Sequence, residues 1–135
     1  MDAIIYGCGR VASMLAPKLV QYGYTVTALD SDKTRLETVT AELHVKGVLI
    51  ADPMMQDYLQ EAHIDITELF LALSEDELTN ALVSQVAKHM YNVPLVVCRL
   101  DNPQLQQLYS SLGLKVVGFS ILDLFNDIDQ AMHLD

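Results

Sequence analysis

Two glycines, an acid and two arginines define the chemistry this sequence can support. Gly7 and Gly9 fall in Gly7-Cys8-Gly9-Arg10-Val11-Ala12, directly after the apolar segment Ala3-Ile4-Ile5-Tyr6, and Asp30 ends a second apolar segment. A glycine pair is informative only in context. After a strand, opening a helix and followed by an acid about twenty residues on, it matches a phosphate-binding turn. Gly7 permits the tight strand-to-helix turn, Gly9 lets the backbone approach a pyrophosphate, and Ala12 is small where helix and strand pack closely. The helix opening at Gly9 directs unpaired N–H groups and its positive dipole end at a bound anion, while Asp30 can accept hydrogen bonds from ribose hydroxyls. The spacing therefore predicts a nucleotide. Asp32, one residue beyond Ser31, adds negative charge that would repel a 2′-phosphate, so NAD or an adenosine phosphate is expected over NADP.

Arg10 lies inside the glycine turn and Arg99 follows Val96-Val97-Cys98, so both cations fall at carboxyl ends of expected strands. Either can reach an anionic ligand, or pair with nearby acids. Ser74-Glu75-Asp76-Glu77 occupies the same edge. Ser74 and Glu77 have capping-box spacing, and acids in a first helical turn complement the dipole; a divalent cation bridging to phosphate is the other use of such a cluster. Cys8 is read as a small filler of the turn, with redox sensing at a helix N-terminus as its alternative. His44, His63, His89 and His133 are not at ligand spacing, and there is no GxxxxGK[ST] loop, HExxH helix, CxxC pair or Tyr-x-x-x-Lys pair. No catalytic or metal-binding residue is assigned.

The elements that must position these groups alternate. Strand-like runs at 2–6, 25–29, 45–50, 68–73, 94–98 and 115–119 are separated by helical patterns near 9–22, 32–43, 54–62, 75–91 and 103–112. Gly23, Pro94, Asn102-Pro103 and Gly113 mark the breaks. This predicts an α/β fold, a Rossmann-like doubly wound six-stranded parallel sheet with helices on both faces. Beyond it Ile121, Leu122, Leu124, Phe125, Ile128 and Met132 form another apolar helical face, which divides the chain into a binding domain at 1–119 and an amphipathic helix at 120–135. That stripe either packs on its own sheet or crosses to a second copy.

The whole chain bounds the reading further. Its 135 residues, 51% hydrophobic, suit one domain with a substantial core. A formal charge of −10 opposes nonspecific binding to nucleic acid or to an anionic lipid surface. Two cysteines, Cys8 and Cys98, fit a reducing cytoplasm better than a disulfide framework. Neither a signal peptide nor a membrane-spanning run is read, so a soluble chain is expected.

Together these segments resemble the regulator-of-potassium-conductance nucleotide-binding domain, also called the KTN or TrkA-N domain, over about residues 2–120. The resemblance is carried by Ile4 to Ala12, by Val26-Thr27-Ala28-Leu29-Asp30-Ser31-Asp32, by Ala51-Asp52 with Leu59-Gln60-Glu61-Ala62, by Leu71 to Asn80, and by Val97-Cys98-Arg99-Leu100-Asp101-Asn102-Pro103. It implies a cytoplasmic domain serving potassium channels or Trk, Ktr and Kef transport systems, binding NAD(H) or an adenine nucleotide (ATP, ADP or AMP) and assembling as homodimers or rings. By resemblance, Gly7, Cys8, Gly9, Arg10, Val11 and Ala12 hold phosphates, Asp30 with its neighbours Ser31 and Asp32 the ribose side, Asp52 the adenine side, Leu73 and Ser74 the middle of the ligand, and Arg99 a phosphate. The final helix becomes a crossover helix that swaps onto a neighbouring subunit. Nucleotide-dependent change in the assembly would then regulate a membrane partner.

Three departures narrow these expectations. Ala51 stands where the family usually has glycine, and Ser120-Ile121 where some members carry Pro-Glu beside a cation, so cation-assisted ATP binding is not expected. The family's second ligand-binding domain is missing, which implies a fragment or a partner that supplies it. The competing readings are a small NAD-dependent oxidoreductase subunit, which lacks catalytic residues, and an adenine-nucleotide binding module unrelated to potassium.

Overall fold

The computed structural model describes residues 1–41, 44–51 and 56–118, together with position 130. Six strands form one parallel sheet: β1 (Asp2–Tyr6), β2 (Thr25–Asp30), β3 (Val45–Leu49), β4 (Leu69–Ala72), β5 (Leu95–Arg99) and β6 (Lys115–Val117), in the order β3-β2-β1-β4-β5-β6. The helices are α1 (Arg10–Gln21), α2 (Lys33–Thr40), α3 (Gln56–Glu61), α4 (Glu77–Gln85) and α5 (Pro103–Ser111). Strand order runs outward in both directions from β1 and β4. A crevice at the carboxyl ends of those two strands is the topological switch point where doubly wound sheets receive ligands. Every strand and helix expected through residue 117 is present. Positions 119–129 and 131–135, which hold the expected final helix and the 119/120 division, lie outside the described residues.

Alternation along the strands assigns the two faces. Ala3 and Ile5 of β1 join Ala28, Leu71 and Val97 beneath Val11, Ala12, Leu15 and Leu19 of α1 and Leu36 and Val39 of α2. Ile4 points the other way, with Phe70, Val96 and Cys98, against Leu59 of α3 and Ala81 and Val83 of α4. A strand buried on both faces must be apolar at successive positions, which is why Ala3-Ile4-Ile5 shows no polar alternation. Each fully buried Ile or Leu contributes about 1.5–3 kcal/mol by leaving water.

The turns follow local chemistry. Tyr22 ends α1 and Gly23 takes a φ of +94°, as Gly113 takes +93° after α5, a conformation that costs a residue with Cβ. The pattern expected to be helical to residue 91 is so, but its last turn widens into a π-turn at Val86–Met90, with Ala87 buried.

Candidate functional site

Strand register brings the separated residues together. Tyr6 lies opposite Leu29 in β2 and opposite Ala72 in β4, and Ala72 lies opposite Cys98 in β5. The next residue of each strand or turn is therefore Gly7, Asp30, Leu73 and Arg99, side by side on one edge. They open onto a cleft of about 730 Å³ lined by Tyr6, Gly7 to Val11, Asp30, Ser31, Arg35, Leu73 to Asp76, Thr79 and Arg99. Of the expected site residues, Asp32 and Ala12 do not line it and Asp52 lies outside the described residues.

The two glycines have different work. Gly7 has φ +95°, and a Cβ there would sit 2.4 Å from the Ser74 nitrogen and 2.6 Å from its Cα. Gly7 thus lets the β1 turn lie backbone against backbone on the β4 turn. A Cβ on Gly9 would meet nothing within 4 Å, and Gly9 lines the cleft. Gly9 also begins α1 without a side-chain cap, whereas Asp32, Asp76 and Asn102 cap α2, α4 and α5 through their carboxylate or amide oxygens. The first N–H groups of α1 are the orphan donors of a helix start, and they open beside an exposed Arg10. Gly7 N–H already donates to Leu29 O (2.9 Å) and Cys8 N–H to Asp30 Oδ2 (2.8 Å), so the donors available to an anion begin at Gly9. Ala12 is fully buried against the sheet, and its size sets how closely α1 packs.

Asp30 is 4% exposed and receives four hydrogen bonds. Cys8 N–H and Arg35 Nε (3.3 Å) donate to Oδ2, and Asp32 N–H (2.8 Å) and Arg35 Nη2 (3.1 Å) donate to Oδ1. Burial pushes this carboxyl up, but the Arg35 fork and the two N–H groups outweigh it and hold the group below its ordinary value. Asp32 turns away from the cleft to cap α2 by accepting from Arg35 N–H (3.0 Å). Cys8 is buried, and desolvation reinforced by the Asp30 charge pushes its thiol up to about 12. It is the turn filler expected from the sequence, not a thiolate.

Across the cleft, Asn80 organises the wall. It is fully buried; its Oδ1 accepts from Ser74 Oγ (2.6 Å) and Ser74 N–H (3.1 Å), and its Nδ2 donates to Ser74 O (2.8 Å) and Arg99 O (2.9 Å). All four of its hydrogen-bonding positions are filled. The capping box expected between Ser74 and Glu77 does not form. Ser74 is held by Asn80, Asp76 caps α4 by accepting from Thr79 N–H (3.2 Å), and Glu77 Oε1 instead accepts from Asp101 N–H (3.2 Å) and Asn102 N–H (3.0 Å) of the loop after β5. Arg99 Nη1 donates to Leu73 O (3.0 Å), which ties the two expected contacts into one unit. Burial pulls the Arg99 pKa down from its ordinary value, while Glu75 and Asp101 oppose the shift. No cluster of three or more His, Cys, Asp or Glu able to hold a metal occurs among the described residues.

Charge is concentrated at the cleft. In a chain of net charge −10 with eight basic residues, three of them (Arg10, Arg35 and Arg99) line this one cleft. They balance Asp30, Glu75 and Asp76 on its walls.

Residues 3–119 match the family model of the TrkA-N domain. The chain belongs to that family. As a TrkA-N domain it is 36% identical over 121 residues to the Trk system potassium uptake protein TrkA of Streptomyces coelicolor, a match covering 87% of this chain and 52% of that protein. The chain thus spans about half the length of some of the curated relatives it matches and about a fifth of others. Among solved structures, the TrkA-N domain of the Escherichia coli inner membrane protein ybaL aligns with a TM-score of 0.76 at 18% identity, covering 98% of this chain and 94% of that one. The Kef CTD of Shewanella denitrificans in its AMP-bound form aligns at 0.72 with 20% identity, covering 99% and 81%, and the GsuK channel bound to NAD at 0.70 with 14%, covering 85% and 21%. At these identities the likeness is one of fold.

Tyr6, Arg35 and Thr79 line this TrkA-N domain's cleft without having been expected there, and Asn80, which braces the Ser74 turn behind its wall, also escaped the sequence reading. Arg35 offered one signal: it lies in the first turn of α2, where a cation opposes the helix dipole, so it needs a specific partner. Asn80 offered little, since an Asn within a helical pattern reads as solvent-facing until the fold carries it under the Ser74 turn.

Proposed function

We propose that the cleft binds NAD(H) or an adenine nucleotide (ATP, ADP or AMP), and that its occupancy regulates a membrane potassium channel or transporter. One observation carries the reading. At the switch point, α1 starts uncapped, and Gly9, beside which there is open space, lines the same 730 Å³ cleft as Arg10 and Asp30. These residues fit a nucleotide: the N–H groups from Gly9 to Ala12 and Arg10 hold phosphate, Asp30 receives the ribose with Ser31 beside it, Leu73 and Ser74 support the middle of the ligand, and Arg99 meets a phosphate from the β5 side. Asp52 would contact the adenine side from outside the described residues. The AMP-bound and NAD-bound neighbours support the ligand class, and the potassium-uptake relatives support the partner.

The chain acts in this reading as a sensor and not as an enzyme. Its residues bind and orient; the nucleotide prefers one arrangement of a homodimer or ring, and the membrane partner reads which arrangement is populated. No helix among the described residues is long and apolar enough to cross a membrane. Thermal unfolding with NAD, NADH, ATP, ADP, AMP and NADP tests the binding half. A ligand specific to the native state at about a hundred times its Kd adds about 2.7 kcal/mol of stability. The expected result is a raised midpoint with at least one adenine nucleotide, and none for Gly9→Val. Unchanged midpoints with every nucleotide overturn the proposal.

A further inference from the structure

We infer that Arg35 is a selectivity residue of the cleft that competes with the ribose diol for Asp30, so that a nucleotide enters by exchanging the guanidinium for its own hydroxyls. The inference rests on the nucleotide reading above. An ionised carboxylate offers about four lone-pair sites, and those of Asp30 are filled by Cys8 N–H, Asp32 N–H and the two Arg35 nitrogens. The backbone donors belong to the glycine turn and to the start of α2 and cannot leave without undoing both. The guanidinium can leave, because its side chain is 55% exposed while that of Asp30 is 5% exposed. Arg35 also lines the cleft itself. On release it stays within the field of Asp32 and of Glu75 on the opposite wall, the acids that already act on it after Asp30.

The exchange makes a directional prediction. Removing Arg35 leaves Asp30 with two empty acceptor sites, so a ligand with ribose hydroxyls binds more tightly, and one without them gains nothing. A fully exposed guanidinium–carboxylate pair corresponds to a factor of about two to five in affinity, which is the lower bound for this pair because its carboxylate is buried. ADP, the moiety shared by NAD and ATP, and 2′,3′-dideoxy-ADP are titrated calorimetrically into wild type and Arg35→Ala, with NAD in parallel. Unfolding of each unliganded protein confirms the native state. The expected result is at least about two- to fivefold tighter binding of ADP and NAD to Arg35→Ala, with dideoxy-ADP unchanged. Equal weakening of ADP and dideoxy-ADP would show that Arg35 holds the base or phosphate, and identical affinities for both proteins would show that it does not meet the ligand; either overturns the exchange while leaving nucleotide binding intact. Wild-type protein that binds neither ADP nor NAD removes the nucleotide reading and this inference with it.

Discussion

Replacing Gly7 and Gly9 separately by alanine distinguishes a glycine that the fold needs from one that the ligand needs. At Gly7 the new Cβ would lie 2.4 Å from the Ser74 nitrogen, on a backbone with φ +95°. A left-handed conformation costs a residue with Cβ about 1–2 kcal/mol, and forcing a methyl group into packed backbone costs about 1–3 more. Gly7→Ala is therefore destabilised by about 2–5 kcal/mol, a fall of about 7–18 °C in midpoint for a domain of this size. At Gly9 the same methyl group meets nothing within 4 Å and the backbone is extended. A weaker N-cap and a less flexible unfolded chain roughly cancel, keeping the change within about 1 kcal/mol. Yet in the proposed binding mode a phosphate approaches the α1 N–H groups beside Gly9, and a methyl group there lowers nucleotide affinity at least about tenfold. Urea unfolding of both variants, paired with calorimetric titration of NAD and AMP, measures the two effects independently. Equal stability losses in the two variants, or wild-type affinity in Gly9→Ala, would refute this division of labour.

Three further outcomes follow from the same geometry. Asp30→Asn flattens the acid limb of the stability profile: the Asp30 pKa is lowered on folding, so its contribution is complete above the unfolded value of about 3.9 and lost as pH falls through the lower folded value; parallel acid limbs in wild type and variant would contradict it. Cys8 and Cys98, raised to about 12 and about 11 by burial, resist a thiol reagent in the native state and react on unfolding; because both folded values exceed the unfolded one, stability declines as pH rises above 9.0 towards them, and rapid native labelling would refute their burial. Asn80→Ala strands buried partners at Ser74 and Arg99 and costs about 2–4 kcal/mol, which equilibrium unfolding would detect; a loss below about 0.5 kcal/mol would show that the network is dispensable.

Much of the site was legible because its defining residues are adjacent in sequence. Gly7, Gly9 and Ala12 specify a turn and a helix start within a few positions, and Asp30 ends the strand that pairs with β1. The doubly wound parallel architecture followed from strand and helix alternation, since apolar runs without polar alternation must be covered on both faces. What was not legible depended on tertiary register. The Ser74–Glu77 spacing fits a capping box locally, yet Asn80 and the loop after β5 compete successfully for those side chains. Asp32 reads as a charge beside the ribose until its carboxylate is found capping α2. The Arg35 fork on Asp30 joins a helix face to a strand end, and apart from the cation's unfavourable place in the first turn of α2 no spacing marks that pair in the sequence.

The central claim, that an adenine nucleotide seats its phosphates on the start of α1, is tested most directly by following backbone amide resonances during titration with NAD and with AMP. The account predicts saturable shifts concentrated at Gly9, Arg10, Val11 and Ala12, extending to Asp30 and Ser74, with little change at Gly23 and Lys46 at the opposite strand ends. Shifts confined elsewhere, or none at millimolar nucleotide, would contradict it.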